Sequence, residues 1–223
     1  MNARASQREL AAPLASRYAG RTVIGIGAHP DDLEIGLGGT LAKLAQGGAR
    51  VVMAVVSVPK DVEVRTREAK RGAQILGCEL KVLFDGGALR IEDINTSDLV
   101  GAFDNLVREN NPAAVFTHSS ADFHNDHLLV HNACLPVQRR GPFDFFSYQP
   151  TNCYPVPVSF HPSAYVDISD TIDAKMHSIT AHASQFEGRG LDTDIYREFA
   201  HVQGRIIGAG YAEGMQVMRM VLA

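Results

Sequence analysis

Short apolar runs alternate with helix-like segments between residues 21 and 135, and this alternation limits what the chain can fold into more than any other feature. The runs are rich in β-branched residues and occupy residues 21–28, 50–57, 79–84 and 113–117. A continuously apolar run of this length is typical of a strand that is buried on both faces of a parallel sheet. Strands that alternate with helices form βαβ units. The sequence therefore predicts an α/β fold of the Rossmann-like, three-layer α/β/α kind with a mainly parallel sheet.

The rest of the chain continues the same pattern less regularly. Helices are predicted over residues 64–76, 96–110, 127–135, 170–184 and 194–209, besides one that directly follows the HPDD sequence at residues 29–32. Asp170 is predicted as an N-cap, because aspartate is favoured at that position. Further strands are predicted over residues 164–168 and 215–222, with a short one near 143–148 inside a proline-rich irregular segment, 137–163. Residues 1–20 are interpreted as a mobile arm or short helix, and residues 21–223 as a single domain.

Composition narrows the class of protein. The chain has 223 residues, of which 45% are hydrophobic and 21% charged, and its formal net charge is −4. Nucleic acids and anionic membranes are not expected partners, because both would require a basic surface. No segment approaches the roughly 20 apolar residues of a membrane span, and the N-terminus lacks the apolar run of a signal peptide. The three widely spaced cysteines favour free thiols. We therefore expect a cytoplasmic protein.

Histidines and aspartates cluster directly after two of the predicted strands. The first strand is followed by His29, Asp31 and Asp32, and the fourth is followed by a loop that carries His124 and His127. Ligands of open α/β sheets bind at the carboxyl ends of the strands, where loops from neighbouring strands meet. Zinc is bound by His nitrogen and Asp oxygen, and catalytic sites keep one position open for water. The sequence therefore predicts a metal site with catalytic capacity at this edge.

The residue types suggest a division of work within this cluster. The HPDD turn can direct His29 and one aspartate to a single point, leaving the other aspartate as a base. His124 and His127 are three residues apart at the start of a helix, so that both can face one side. One of them would bind the metal and the other would donate a proton. Two simpler interpretations stay open here: the aspartates could only cap the following helix, and the histidines could be solvated surface residues.

Other histidines and glycines are weaker candidates. His118 ends the fourth strand, His131 lies four residues after His127, and His182 lies in a later helix; each could be structural. The glycine-rich stretch at residues 36–39 lacks the GK[ST] of a phosphate-binding loop, and the first strand lacks the third glycine of a dinucleotide fingerprint. A non-catalytic metal- or nucleotide-binding α/β module therefore remains only as a rival interpretation.

Five blocks of the sequence form a recognisable set: GAHPDDLEIGLGGTLAKL at residues 27–44, RTREAKRGAQILG at 65–77, DFHNDH at 122–127, and the C-terminal blocks AYVDISDTIDAKMHSITAHASQF and GYAEGM. Together they resemble the LmbE-like (PIG-L) family of N-acetylglucosaminyl deacetylases. The first block is the most specific, whereas an HxDH sequence alone is not specific. The loop VPKDVEV before Arg65 is short and lacks the Thr/Gly-rich sequence that is common in the family. In the family this loop helps to shape the substrate pocket, so the departure bears on which substrate the chain would accept.

The resemblance implies a role for each residue of the cluster. By it, His29, Asp32 and His127 would bind Zn²⁺ or another divalent ion such as Fe²⁺, and Asp31 would be the general base. His124 would act as the general acid or stabilise the oxyanion. Arg65 would bind substrate, and Asp126 would orient a histidine from outside the ligand set.

The resemblance also implies an activity and a class of partner. The chain would remove the N-acetyl group of an N-acetylglucosamine-type sugar or glycoconjugate, a small molecule, by means of metal-activated water. The same residues would serve a metal-dependent amidase that acts on a non-sugar or secondary-metabolite amide, and that alternative stays open. Relatives often form homo-oligomers, but the sequence fixes no number of subunits.

Overall fold

Seven strands form one mixed sheet in the computed structural model, which describes residues 14–148, 159–187 and 190–222. The strands are β1 (Thr22–Gly27), β2 (Arg50–Ser57), β3 (Glu79–Phe84), β4 (Ala114–His118), β5 (Asp144–Tyr148), β6 (Ala164–Asp167) and β7 (Ala212–Arg219). Their order across the sheet is β3-β2-β1-β4-β5-β7-β6. Strands β1 to β5 run parallel, whereas β7 is antiparallel to both of its neighbours. The predicted α/β class is confirmed, with a mostly parallel sheet whose antiparallel strands lie at one side.

Helices cover both faces of this sheet. They are α1 (Leu14–Tyr18), α2 (Asp32–Gln46), α3 (Val62–Leu76), α4 (Thr96–Asn110), α5 (Asn125–Cys134), α6 (Ile172–Thr180), α7 (Ala183–Phe186) and α8 (Asp194–Ile207). Two 3₁₀ turns, Ile91–Asp93 and Leu135–Arg140, precede α4 and follow α5. Among the described residues, no helix is both long and apolar enough to cross a membrane.

Several predicted boundaries are wrong by a few residues, for local reasons. The helix predicted over residues 127–135 begins at Asn125, because His124 caps it through its ring. The single helix predicted over residues 170–184 is two helices, α6 and α7. Asp170 is not the N-cap of α6: it pairs with Lys43, and Thr171 takes the cap position. The last strand spans Ala212–Arg219 rather than residues 215–222, because its first residues pair with β6.

Some of the predictions concern residues outside the described part of the chain. The arm predicted over residues 1–20 is described only from Leu14, where α1 begins. The irregular segment predicted over residues 137–163 is described up to residue 148 and from 159 onward, and its short strand is β5.

Alternating residues of the central strands enter two separate apolar clusters. Val23 and Met53 belong to the cluster that includes α2, whereas Ile24 and Val52 belong to the cluster that includes Phe103 of α4. Successive side chains of a strand point to opposite faces, so this division means that both faces of the sheet are covered. Continuous rather than alternating hydrophobicity in the sequence has this cause.

A buried carboxylate ties the antiparallel side of the sheet to the helices. Glu213 of β7 accepts hydrogen bonds from the backbone N–H groups of Gly39 and Thr40, at 3.0 and 2.7 Å. Its Oε1 also lies 2.5 Å from Nζ of Lys175, which in turn donates to the Ile35 carbonyl. Buried charges require such partners, because an unpaired one would carry a large desolvation cost. The network fixes α2, and therefore the turn that precedes it, against β7 and α6.

Helix α2 approaches Ile168 closely at a glycine, which gives a stability prediction. A Cβ atom added to Gly39 would lie 2.7 Å from two side-chain atoms of Ile168, whereas one added to Gly101 of α4 would meet nothing within 4 Å. We expect Gly39→Ala to lower the free energy of unfolding by about 1–3 kcal/mol through overpacking. Gly101→Ala should raise it by up to about 1 kcal/mol, because alanine favours the helix. Urea unfolding would measure both, and equal effects would contradict the assigned packing.

Candidate active site

The loops that follow β1 and β4 enclose a cavity of about 310 Å³ at the carboxyl edge of the sheet. The loop after β2 and the short helix α7 complete its wall. The lining residues are His29, Asp31, Asp32, Pro59, Lys60, Arg65, His124, Asp126, His127 and Gln185. All seven residues that the sequence nominated for the site are among these. The structure therefore brings together side chains that are up to 98 positions apart, since His29 and His127 mark the two ends of that set.

The turn between β1 and α2 has an unusual backbone. Asp31 adopts φ 94° and ψ −27°, in the left-handed region that residues other than glycine seldom occupy. The next residue, Asp32, begins α2, and its Oδ2 accepts the N–H of His29 at 2.8 Å. The Asp31 side chain makes no capping hydrogen bond. The simpler interpretation of these aspartates as helix caps therefore does not describe Asp31, whose carboxylate lines the cavity instead.

Asp32 and His127 point their polar atoms at each other. Oδ1 of Asp32 lies 3.3 Å from Nε2 of His127, and Oδ2 lies 3.9 Å from Nδ1 of His29. Nδ1 of His127 lies 2.8 Å from Oδ2 of Asp122, so that its Nε2 is the nitrogen turned toward Asp32. A histidine held through one nitrogen by a carboxylate is the usual arrangement of a metal ligand, because the second partner fixes the ring and its tautomer.

The donor set at this point fits a divalent cation. The ligand atoms of His29, His124 and His127 lie within 4.8 Å of one another, and so do those of Asp32, His118 and His127. Of the three predicted ligands, His127 belongs to both groups, His29 only to the first and Asp32 only to the second. Imidazole nitrogens and one carboxylate oxygen are the donors that zinc and comparable transition metals take.

The electrostatics of the cluster favour a positive charge at its centre. Burial by itself would lower the pKa of His127, but the Asp32 and Asp122 carboxylates raise it to about 10. Burial would likewise raise the pKa of Asp32, but His127 and His118 bring it well below its ordinary value. Carboxylates that hold a proton on a buried imidazole would hold a cation there for the same reason. Burial and the Asp32 charge raise the pKa of the neighbouring Asp31 to about 7.

His124 and Asp126 form the outer side of the cavity. His124 is the N-cap of α5, and its Nδ1 accepts the backbone N–H of Asp126 at 3.2 Å. Burial and the nearby His127 charge lower the pKa of His124, so the ring is neutral at pH 7 and its proton lies on Nε2. Oδ2 of Asp126 lies 3.0 Å from Nε2 of His29. Asp126 thus contacts a histidine, as its predicted role requires.

Sequence reasoning gave no role to Asp122 or Gln185, which contribute to the site, and left His118 only as a weaker candidate. The carboxylate of Asp122 holds Nδ1 of His127. In the sequence, the only sign of this contact is the position of Asp122 at the start of the DFHNDH block. His118 is fully buried beneath the site and stacks on His127 at 4.1 Å, and its Nε2 accepts the N–H of Ala28. Burial lowers the pKa of His118 to about 4, so this ring is neutral. Gln185 reaches the cavity from α7, and no local pattern around it indicated a polar contact.

The remaining candidates have structural partners. Nδ1 of His131 lies 2.7 Å from the His118 carbonyl, and Nε2 of His182 lies 2.9 Å from Glu34. Neither histidine lines the cavity. Arg65 does line it, but its Nη2 donates to the Pro30 carbonyl at 3.1 Å.

Comparison with known proteins identifies relatives that match most of the chain. The family described as PIG-L: GlcNAc-PI de-N-acetylase matches residues 24–137. The uncharacterized deacetylase YaiS of Escherichia coli (strain K12) is 29% identical over 181 residues, which cover 77% of this chain and 95% of that protein. Diacetylchitobiose deacetylase of Thermococcus kodakarensis is 29% identical over 225 residues, covering 88% of this chain and 82% of that protein.

The fold recurs in a protein of different chemistry. The crystal structure of GalB, the 4-carboxy-2-hydroxymuconate hydratase of Pseudomonas putida KT2440, aligns with a TM-score of 0.74 at 19% identity, covering 91% of this chain and 98% of that one. At this level of identity the likeness shows a shared fold alone.

The carboxylate behind His127 gives a prediction for metal binding. In Asp122→Ala the His127 ring loses the partner at its Nδ1, so divalent-metal affinity should fall roughly 10–100-fold. Titration of Zn²⁺ against a competing chelator would measure the dissociation constant of each protein. Asp85→Ala, which changes an exposed aspartate outside the cavity lining, is the matched control. An unchanged affinity in Asp122→Ala would show that His127 needs no such support or is not a ligand.

Proposed function

Because the chain belongs to the PIG-L family of de-N-acetylases, we propose that it is a metal-dependent hydrolase that removes the N-acetyl group from an N-acetylglucosamine-type sugar or glycoconjugate. One observation carries the proposal: His29, Asp32 and His127 converge in a single cavity, with Asp31 beside them. We assign the whole of residues 21–223 to this one catalytic domain.

His29, Asp32 and His127 would hold the metal, with zinc as the first candidate and iron as the second. When bound, the metal supplies a Lewis acid for the amide carbonyl and lowers the pKa of its water ligand toward about 7. Asp122, which bonds to His127, and Asp126, which bonds to His29, orient the rings of these two ligands.

Asp31 is the proposed general base. Its carboxylate lines the cavity beside the ligand residue Asp32 but makes no cap hydrogen bond, so it is available to accept a proton from water. A general base works best when its pKa is near the operating pH. Burial and the Asp32 charge move the pKa of Asp31 in that direction. The proton that Asp31 receives can then pass to the nitrogen of the departing amine.

His124 is the proposed hydrogen-bond donor to the tetrahedral oxyanion. Because its Nδ1 accepts the Asp126 N–H, the neutral ring presents Nε2–H as its donor. A neutral imidazole can donate this hydrogen bond. A general acid, by contrast, would have to be a protonated imidazole. Such donors typically contribute about 10²–10³ in rate. Of the two roles left open by the sequence, oxyanion stabilisation therefore has the stronger support.

One relative bears on the choice of substrate. The diacetylchitobiose deacetylase acts, by its name, on an acetylated amino sugar, and it is similar along most of both chains. The alternative, an amidase for a non-sugar amide, would use the same residues, and only the pocket wall would differ. Part of that wall is the short loop of Pro59 and Lys60, which departs from the family pattern.

The role of Asp31 gives the sharpest mutational test. Asp31→Ala should retain the metal, because the proposed ligands are unchanged, and should lose roughly 10²–10⁴ in kcat through loss of the base. Metal content would be measured by elemental analysis and turnover by acetate release. His127→Ala is the contrasting variant and should lose the metal itself. Near-normal turnover of metal-loaded Asp31→Ala would refute the assignment.

A substrate panel separates the sugar and non-sugar alternatives. We expect metal-loaded protein to release acetate from N-acetylglucosamine, diacetylchitobiose or a glycoconjugate of N-acetylglucosamine, and chelation to abolish the release. Simple non-sugar acetamides should react at least about 10²-fold more slowly, because they lack the hydroxyls that a sugar site binds. The opposite order would favour the amidase alternative. If none of the amides in the panel released acetate, the proposed function would be refuted.

A further inference from the structure

The conformation of Asp31 has to be imposed by its surroundings. A non-glycine residue in the left-handed region costs free energy and persists only where neighbouring contacts hold it. Asp31 has φ 94°. Two hydrogen bonds hold the chain around it: the His29 N–H donates to the Asp32 carboxylate, and the Ile35 N–H donates to the Asp31 carbonyl. These bonds fix the start of α2, but neither of them fixes the peptide group that joins Pro30 to Asp31.

Arg65 supplies that missing contact. Its Nη2 donates to the Pro30 carbonyl at 3.1 Å and lies 3.9 Å from Oδ1 of Asp31. The Pro30 carbonyl lies in the peptide plane that turns relative to Asp31 when the φ angle of Asp31 changes. A hydrogen bond to this oxygen therefore restrains that angle. The same guanidinium faces the Asp31 carboxylate. One side chain therefore restrains both the backbone and the functional group of Asp31.

The exposure of Arg65 also differs from that of a ligand-binding arginine. The residue is only 5% exposed, and its Nε is buried with no hydrogen-bond partner among the described residues. Lys60, a cation on the same wall of the cavity, is exposed by contrast. Nη2 of Arg65 instead donates to the Pro30 carbonyl of the turn.

Helix α3 holds Arg65 firmly enough for this task. One turn after Arg65, Glu68 accepts hydrogen bonds from the N–H and Oγ of Ser184 at 2.8 and 2.6 Å. Another turn on, Gly72 allows α3 to approach the buried pair of Glu34 and His182, since a Cβ there would lie 2.5 Å from Glu34. The face of α3 that carries Arg65 is thus fixed against both α2 and α7.

We propose that Arg65 is a positioning residue, which clamps the Pro30–Asp31 peptide so that the Asp31 carboxylate stays in its working orientation, rather than a substrate-binding residue. The inference rests on the proposed function of Asp31 as base. The two roles predict opposite kinetics. Loss of a positioning contact lowers kcat and leaves KM nearly unchanged, whereas loss of uniform substrate binding raises KM and spares kcat.

The experiment compares three variants of Arg65 in the metal-loaded full chain. Arg65→Met removes all donors at similar volume and should lower kcat about 10²-fold, the cost typical of a misplaced catalytic group, with KM within about threefold. Arg65→Lys and Arg65→Gln each restore one donor for the Pro30 carbonyl, and each should recover about tenfold of the loss. Arg67→Met, which changes an exposed arginine of the same helix, should match the wild type. Metal content should be equal throughout.

Two outcomes would overturn the inference. A rise in KM of more than about tenfold with kcat preserved would assign Arg65 to substrate binding. A crystal structure of Arg65→Met, or of Arg65→Lys if the methionine variant does not fold, provides a readout independent of activity. We expect Asp31 to leave φ 94° or to lose order there, and an ordered, unchanged Asp31 would end the case. Should the wild type release no acetate, the proposed function fails, whereas the structural test still decides whether Arg65 holds the turn.

Discussion

The parallel pairing of β1 with β4 is the constraint on which the rest of the site depends. Val23 lies opposite Ala114 and Gly25 opposite Phe116, so the carboxyl ends of the two strands reach the same edge. The next strand in sequence, β2, pairs with the other side of β1. The chain therefore leaves β1 in one direction and returns on the other side at β4, which opens a crevice between the following loops. The two histidine- and aspartate-bearing loops meet in that crevice.

Within the crevice, nearly every polar group is held by a second one. Asp122 holds His127, Asp126 contacts His29, and the His29 N–H holds Asp32. Such support limits the reorganisation that binding a cation or a developing negative charge would require, which is how a preorganised site works. Asp31 differs, because its orientation comes from a strained backbone and from Arg65 rather than from a hydrogen bond to its own carboxylate.

The fold alone does not determine the chemistry. A hydratase shares it at a TM-score of 0.74, whereas the sequence relatives reported above are deacetylases. Function resides in the side chains placed on a fold. The donor set, its surplus of carboxylates and the adjacent Asp31 are what support amide hydrolysis for this chain. The wall formed by Pro59, Lys60 and Gln185 is where a difference in substrate would arise.

The sequence by itself determined the parallel part of the sheet and the side chains that gather at its edge. Continuous apolar runs predict parallel strands, and residues that directly follow such strands share one edge, which accounts for His29, Asp31, Asp32, His124 and His127 in the cavity. The family resemblance added Arg65 and Asp126, which also line it. Only the tertiary structure decided which partner each side chain takes: Asp122 rather than Asp126 for His127, and Pro30 for Arg65. It also decided the insertion of β7 between β5 and β6, and the arrival of Gln185. These features depend on side-chain direction and on packing between segments far apart in sequence, which no local periodicity encodes.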